Sequence, residues 1–127
     1  MNPPTALSST TDTSSVAVTA SLENQQTVEE YVREYYADTP VLISIARCES
    51  QFTHLDKDGS VHRGVVNPND VGVMQINTDF HAKEAKDLGI DIFSLAGNLE
   101  FAKYLYEKEG TAPWDSSKPC WGKYAKQ

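Results

Sequence analysis

No stretch of this chain approaches the roughly 20 consecutive apolar residues that a membrane-spanning helix needs. Positive charge is also scarce: 11 Lys and Arg stand against 18 Asp and Glu, a net charge of −7. Phosphate backbones are held by clustered cations, so the charge argues against nucleic acid as a partner. The same deficit removes bulk attraction to an anionic cell wall, so a wall polymer would have to be recognised by contacts in a groove. The opening residues Met1-Asn2-Pro3-Pro4 have neither a basic start nor an apolar run, so no signal peptide is read there. A signal or membrane anchor further upstream is expected instead.

Cysteine is limited to Cys48 and Cys120. Two thiols allow one disulfide or two buried free thiols. A Cys48–Cys120 bridge, the expectation for an exported chain, would close a long loop, worth about 2–4 kcal/mol. His54, His62 and His81 show no metal-pair spacing with each other or with the cysteines, so no metal is expected. Asp56-Lys57-Asp58-Gly59 has the start of a calcium loop without its remaining ligands or closing Glu. A Cys48–His thiol site would leave the run from Asp70 to Asn77 unexplained. No cofactor motif is present.

At 127 residues the chain accommodates one domain. The first 22 residues are crowded with Ser and Thr and carry Asp12 as their one charge. They cannot bury enough surface to offset ordering entropy, so 1–24 is read as a linker or tail and 25–127 as the folded domain. Thr27-Val28-Glu29-Glu30 reads as a capping box opening a first helix to about Ala37, with Val28, Tyr31, Val32, Tyr35 and Tyr36 at helical spacing. Pro40 suits the first turn of a second helix, about Pro40–Ser50, that buries Leu42, Ile45 and Ala46.

After Phe52 the helical pattern stops. Asp58-Gly59 suits a hairpin turn between Thr53–Asp56 and Ser60–Gly64, and Asn67-Pro68-Asn69-Asp70 a second turn. A third helix is expected from Asn77-Thr78-Asp79 to a cap at Gly89, and a fourth over Leu95–Glu109 ending at Gly110. Pro113 to Trp121 reads as a short aromatic closing segment. The expectation is an α+β domain, mostly helical with a small β-hairpin.

Two carboxylates stand out. Glu49 falls at the carboxyl end of its helix, where the helix dipole and nearby apolar surface disfavour ionisation. Asp70 opens the amide-rich run Asp70-Val71-Gly72-Val73-Met74-Gln75-Ile76-Asn77. One protonated and one ionised carboxyl across a cleft are what glycosidic cleavage uses. A solvated helix-end Glu and a turn Asp holding backbone N–H groups explain the same residues without chemistry. Gln75 and Asn77 offer the donors and acceptors that N-acetyl and hydroxyl groups require, although Asn also makes a good helix cap.

The pairing of Glu49-Ser50-Gln51-Phe52 with Asp70-Val71-Gly72-Val73-Met74-Gln75-Ile76-Asn77, and Asn98, Ala102 and Leu105 downstream, resembles the lysozyme superfamily. The likeness runs from about Val41 to Trp121. Val73-Met74-Gln75 is similar to the lytic transglycosylases of the soluble-transglycosylase type, and Asp70 to the c-type lysozymes. The resemblance implies a lysozyme-like catalytic domain acting on the MurNAc-β-1,4-GlcNAc bond of peptidoglycan glycan strands. Glu49 would be the acid and Asp70 the second carboxylate, with Gly72, Met74, Gln75, Asn77, Trp114 and Tyr104 lining the groove. Gly72 would let the backbone approach the glycan, and Trp114 would pack on the acid. A lytic transglycosylase giving 1,6-anhydro products is favoured over a hydrolytic lysozyme, with a non-catalytic peptidoglycan-binding factor as the third reading. A monomer in an extracytoplasmic compartment is expected.

Overall fold

Helix α1 begins at Gln25 and ends at Tyr35 in the computed structural model, which describes residues 25–125. The stretch 1–24, read as a linker or tail, lies outside the described residues, as do 126 and 127. Thr27 stands inside the first turn of α1 instead of at its cap: the helix starts at Gln25, three residues before the Val28 that the capping box implies. Val28 and Val32 point into the core, followed by Tyr36, whose hydroxyl donates to the Leu99 carbonyl at 2.7 Å.

Helix α2, Pro40–Ser50, starts with proline in its first turn and buries Leu42, Ile45 and Ala46, as its spacing predicts. It stops without glycine. Gln51 and Phe52 both take the left-handed conformation, with φ of 53° and 59°. Each such residue costs of order 1–3 kcal/mol, which the surrounding packing must offset. Burial of the Phe52 ring is one such compensation.

The expected hairpin around Asp58-Gly59 is present in abbreviated form. Leu55 pairs with Val61, and the Asp56 N–H donates to the Ser60 carbonyl at 2.8 Å. The two-stranded ladder lies further on: β1, Asp70–Val71, runs antiparallel to β2, Ile76–Asn77, with Asp70 opposite Asn77.

Helix α3, Thr78–Asp87, is capped by the Asn77 side chain, which accepts from the Phe80 N–H at 3.0 Å. At its other end Gly89 takes φ 73°, and the Ile90 N–H reaches back to the Ala85 carbonyl at 2.9 Å. That is the glycine-dependent stop expected there. Helix α4, Leu95–Glu109, is capped by Ser94 and ends at Gly110, burying Leu99, Phe101, Ala102 and Leu105. The closing segment is more regular than its composition suggests. It forms a 3₁₀ helix, Ala112–Ser117, and then α5, Lys118–Ala125. Trp114 and Trp121 are buried there, and Cys48 of α2 is bridged to Cys120 of α5. Among the described residues the result is a mostly helical α+β fold.

Candidate functional site: an acidic cleft beneath a buried loop

The loop Gly72-Val73-Met74-Gln75 joins β1 to β2 and organises the site. Its first three residues are buried, and a buried loop must find a partner for each backbone polar group. Neighbouring elements supply them. The Gly72 N–H donates to the His62 carbonyl at 2.8 Å. The Val73 N–H donates to Nδ1 of His54 at 3.2 Å, and the Val73 carbonyl accepts from the Ser50 hydroxyl at 2.7 Å. The Met74 N–H donates to Oδ1 of Asn98 at 2.8 Å, and its carbonyl accepts from the Trp114 indole at 2.9 Å. Asn98 is itself saturated, donating to the carbonyls of Val71 at 3.0 Å and Ile92 at 2.8 Å.

The His54 ring is held in one tautomer by this network. Nδ1 accepts from Val73, so Nε2 carries the proton and donates to the Phe93 carbonyl at 2.8 Å. Burial lowers its pKa, which favours the neutral ring that the arrangement requires.

This anchoring presents Asp70, Gln75 and Asn77 to a cleft of about 330 Å³. Glu49 comes to the same cleft from the last turn of α2, and Trp114 from the 3₁₀ helix. The two carboxylates and three of the expected groove residues are therefore brought together from α2, the β1–β2 ladder with its loop, and the 3₁₀ helix. Asp70 is held by Asn77, whose Nδ2 donates to its Oδ1 at 2.9 Å. Gln75 sits at φ 53° and donates through Nε2 to the Gly72 carbonyl at 3.0 Å.

Burial pushes the Glu49 carboxyl above the usual carboxylate range. A 2.6 Å bond from the Ser117 hydroxyl to Oε2 draws it part of the way back, and the Asp70 charge adds an upward contribution. The negative end of α2 acts in the same upward direction.

Three expected groove residues stand elsewhere or serve another purpose. Met74 has a fully buried side chain, so it is a core residue with no surface to offer a ligand. Tyr104 is not among the lining residues of the cleft. Its hydroxyl bonds Glu84, which also accepts from Lys108, on the side of α4 facing α3. Gly72 is required by packing and backbone conformation instead of glycan approach. It has φ 78°, and a Cβ there would collide with the Asn98 amide and lie 2.8 Å from the His54 ring.

Other lining residues carried no signal in the sequence. Phe80, His81, Glu109, Pro113 and Ser116 also face the cleft, making Glu109 a third carboxylate there. Ser117 was equally silent, because its link to Glu49 spans 68 residues of chain. A second cavity of about 340 Å³ between α3 and the segment Gly89–Phe93 is mainly aliphatic, with Asp91 and Lys86 as its charged residues. It lacks the convergent carboxyl and amide groups of the Glu49 cleft. The Cys48 sulfur is committed to its disulfide, so it offers no thiolate.

In comparisons with protein-family models, curated proteins and solved structures, nothing matches the chain.

Proposed function

We propose that this domain cleaves peptidoglycan glycan strands at the MurNAc-β-1,4-GlcNAc bond, with Glu49 as the proton donor. The observation that carries this reading is a partly buried carboxyl of raised pKa sharing a cleft with a second carboxylate and the amides of Gln75 and Asn77. A departing glycosidic oxygen needs a proton donor, and burial shifts the Glu49 carboxyl toward its protonated form.

In the favoured reaction the Glu49 proton passes to the glycosidic oxygen, which leaves as the C4 hydroxyl of GlcNAc. The bond from that oxygen to muramic acid C1 breaks. The muramic acid C6 hydroxyl oxygen then bonds to C1 and gives its proton to the Glu49 carboxylate. A 1,6-anhydro end results, no water is consumed, and Glu49 regains its proton. Asp70 supports a second reading, hydrolysis, because it lines the same cleft and its charge acts on Glu49. The disulfide favours an oxidising, extracytoplasmic compartment, since such bonds rarely persist in reducing cytosol.

The test is digestion of purified sacculi by wild type and Glu49→Gln, with mass spectrometry of released muropeptides. Loss of release in Glu49→Gln and 1,6-anhydro ends in the wild-type products are expected. Equal release by both proteins overturns the catalytic reading, and binding without release by either leaves a wall-binding factor. Reducing muramic ends alone, abolished by Asp70→Asn, would make the enzyme a hydrolase.

A further inference from the structure

The Ser117 hydroxyl has two neighbours and a single proton. Oγ lies 2.6 Å from Oε2 of Glu49 and 3.1 Å from the backbone carbonyl of Trp114. A hydroxyl donates once and accepts through its lone pairs, so it cannot donate to both oxygens together. When Glu49 is ionised, the Ser117 proton points to the carboxylate. When Glu49 is protonated, the carboxyl donates to Oγ and the Ser117 proton turns to the Trp114 carbonyl. Heavy atoms need not move between the two states; rotation about the Cβ–Oγ bond suffices.

We propose that Ser117 is a positioning residue that holds the Glu49 carboxyl in one place through both of its protonation states. This rests on the glycan-cleaving reading above and deepens it. A carboxyl that gives a proton and then takes one back must be aligned as acid and again as base. A partner able only to donate would favour the ionised form, and one able only to accept would favour the acid.

The surroundings keep Ser117 in register. The Trp114 carbonyl also accepts from the Trp121 indole at 3.0 Å, which fixes the alternative acceptor. Trp114 is tied through its own indole to Met74 in the buried loop. Three residues after Ser117, Cys120 is bridged to Cys48, the immediate neighbour of Glu49. The donor–acceptor pair is thus held from both of its chain segments. The charge-assisted bond is the stronger of the two arrangements, which accords with the downward influence of Ser117 on the Glu49 pKa.

The test compares wild type, Ser117→Ala and Ser117→Thr, with thermal melts to confirm folding. Without substrate, the side-chain carboxyl of Glu49 is titrated by ¹³C NMR. Ser117→Ala is expected to move its midpoint to higher pH, and Ser117→Thr, which keeps the hydroxyl, to restore it. With sacculi as substrate, Ser117→Ala should lower kcat about tenfold or more while changing KM less than about twofold. The alkaline limb of its pH profile should shift upward with the NMR midpoint. An unchanged midpoint and profile in Ser117→Ala overturn the proposal, as does a kcat loss that Ser117→Thr fails to recover. A shifted midpoint with no muropeptide release by wild type keeps the Ser117–Glu49 coupling and overturns the glycan reading instead.

Discussion

The indole N–H of Trp114 donates to the backbone carbonyl of Met74 across 40 residues of chain. This bond joins the C-terminal 3₁₀ helix to the loop between β1 and β2, and so joins the Ser117 side of the cleft to the Asp70 side. Trp114→Phe keeps most of the apolar volume but leaves the Met74 carbonyl without its donor. Such an orphaned buried acceptor costs about 1–3 kcal/mol. The variant should therefore melt several degrees lower, as measured by circular dichroism. Turnover of sacculi should fall with it, because the two sides of the cleft lose a shared anchor.

Glu49 should reduce stability at alkaline pH. Its folded-state pKa is raised, mainly by burial, so the folded chain holds that proton more tightly than the unfolded chain. Below the ordinary carboxylate range both states are protonated and the group costs nothing. As pH rises from that range through the folded pKa, the unfolded state is increasingly favoured, and above it the penalty is complete. Glu49→Gln should accordingly be more stable than wild type at pH 8, with the difference vanishing toward pH 3. Urea denaturation at a series of pH values measures this. A Glu49→Gln variant that is less stable at every pH would contradict it.

The Cys48–Cys120 bridge encloses a separation of 72 residues and joins the helix of the proposed acid to α5. Intact mass before and after reduction should differ by two hydrogens. Reduction should cost about 2–4 kcal/mol, read as a lowered melting temperature. Two thiols that alkylate freely in air-handled native protein would contradict the bridge.

Met74 and Tyr104 should separate cleanly from the groove residues. Met74→Ala removes a fully buried side chain, which costs about 2–5 kcal/mol and should appear as a loss of stability. Tyr104→Phe removes a hydroxyl that bonds Glu84 away from the cleft. Its kcat and KM on sacculi should match wild type. A KM raised severalfold in Tyr104→Phe would return that residue to the binding surface.

Much of the local structure follows from the order of residues alone. The bounds of α2, α3 and α4 rest on Pro40 in a first turn, Asn77 at a cap, and Gly89 and Gly110 past helix ends. These are short-range effects, acting within a turn or so of chain, and they can be read without knowing what packs above them. That Glu49 and Asp70 would face one cleft was also legible, because the motifs around them pair the two carboxylates. The start of α1 and the helical form of the closing segment were not. Tertiary burial of Trp114 and Trp121 orders a stretch that the sequence marks only as a short aromatic closing segment.

Tertiary structure alone decided what the motif residues do. Met74 and Gln75 are adjacent in sequence, yet one is buried in the core and the other faces the cleft. The direction of each depends on Ser50, His54, Asn98 and Trp114, which hold the loop from four different parts of the chain. Gly72 is glycine because Asn98, 26 positions later, occupies the space a Cβ would need. Ser117 reaches Glu49 across 68 residues of chain, close in the fold to the Cys48–Cys120 bridge. Hydrogen bonds act over about 3 Å in space whatever the separation along the chain, so these partners become visible only in three dimensions.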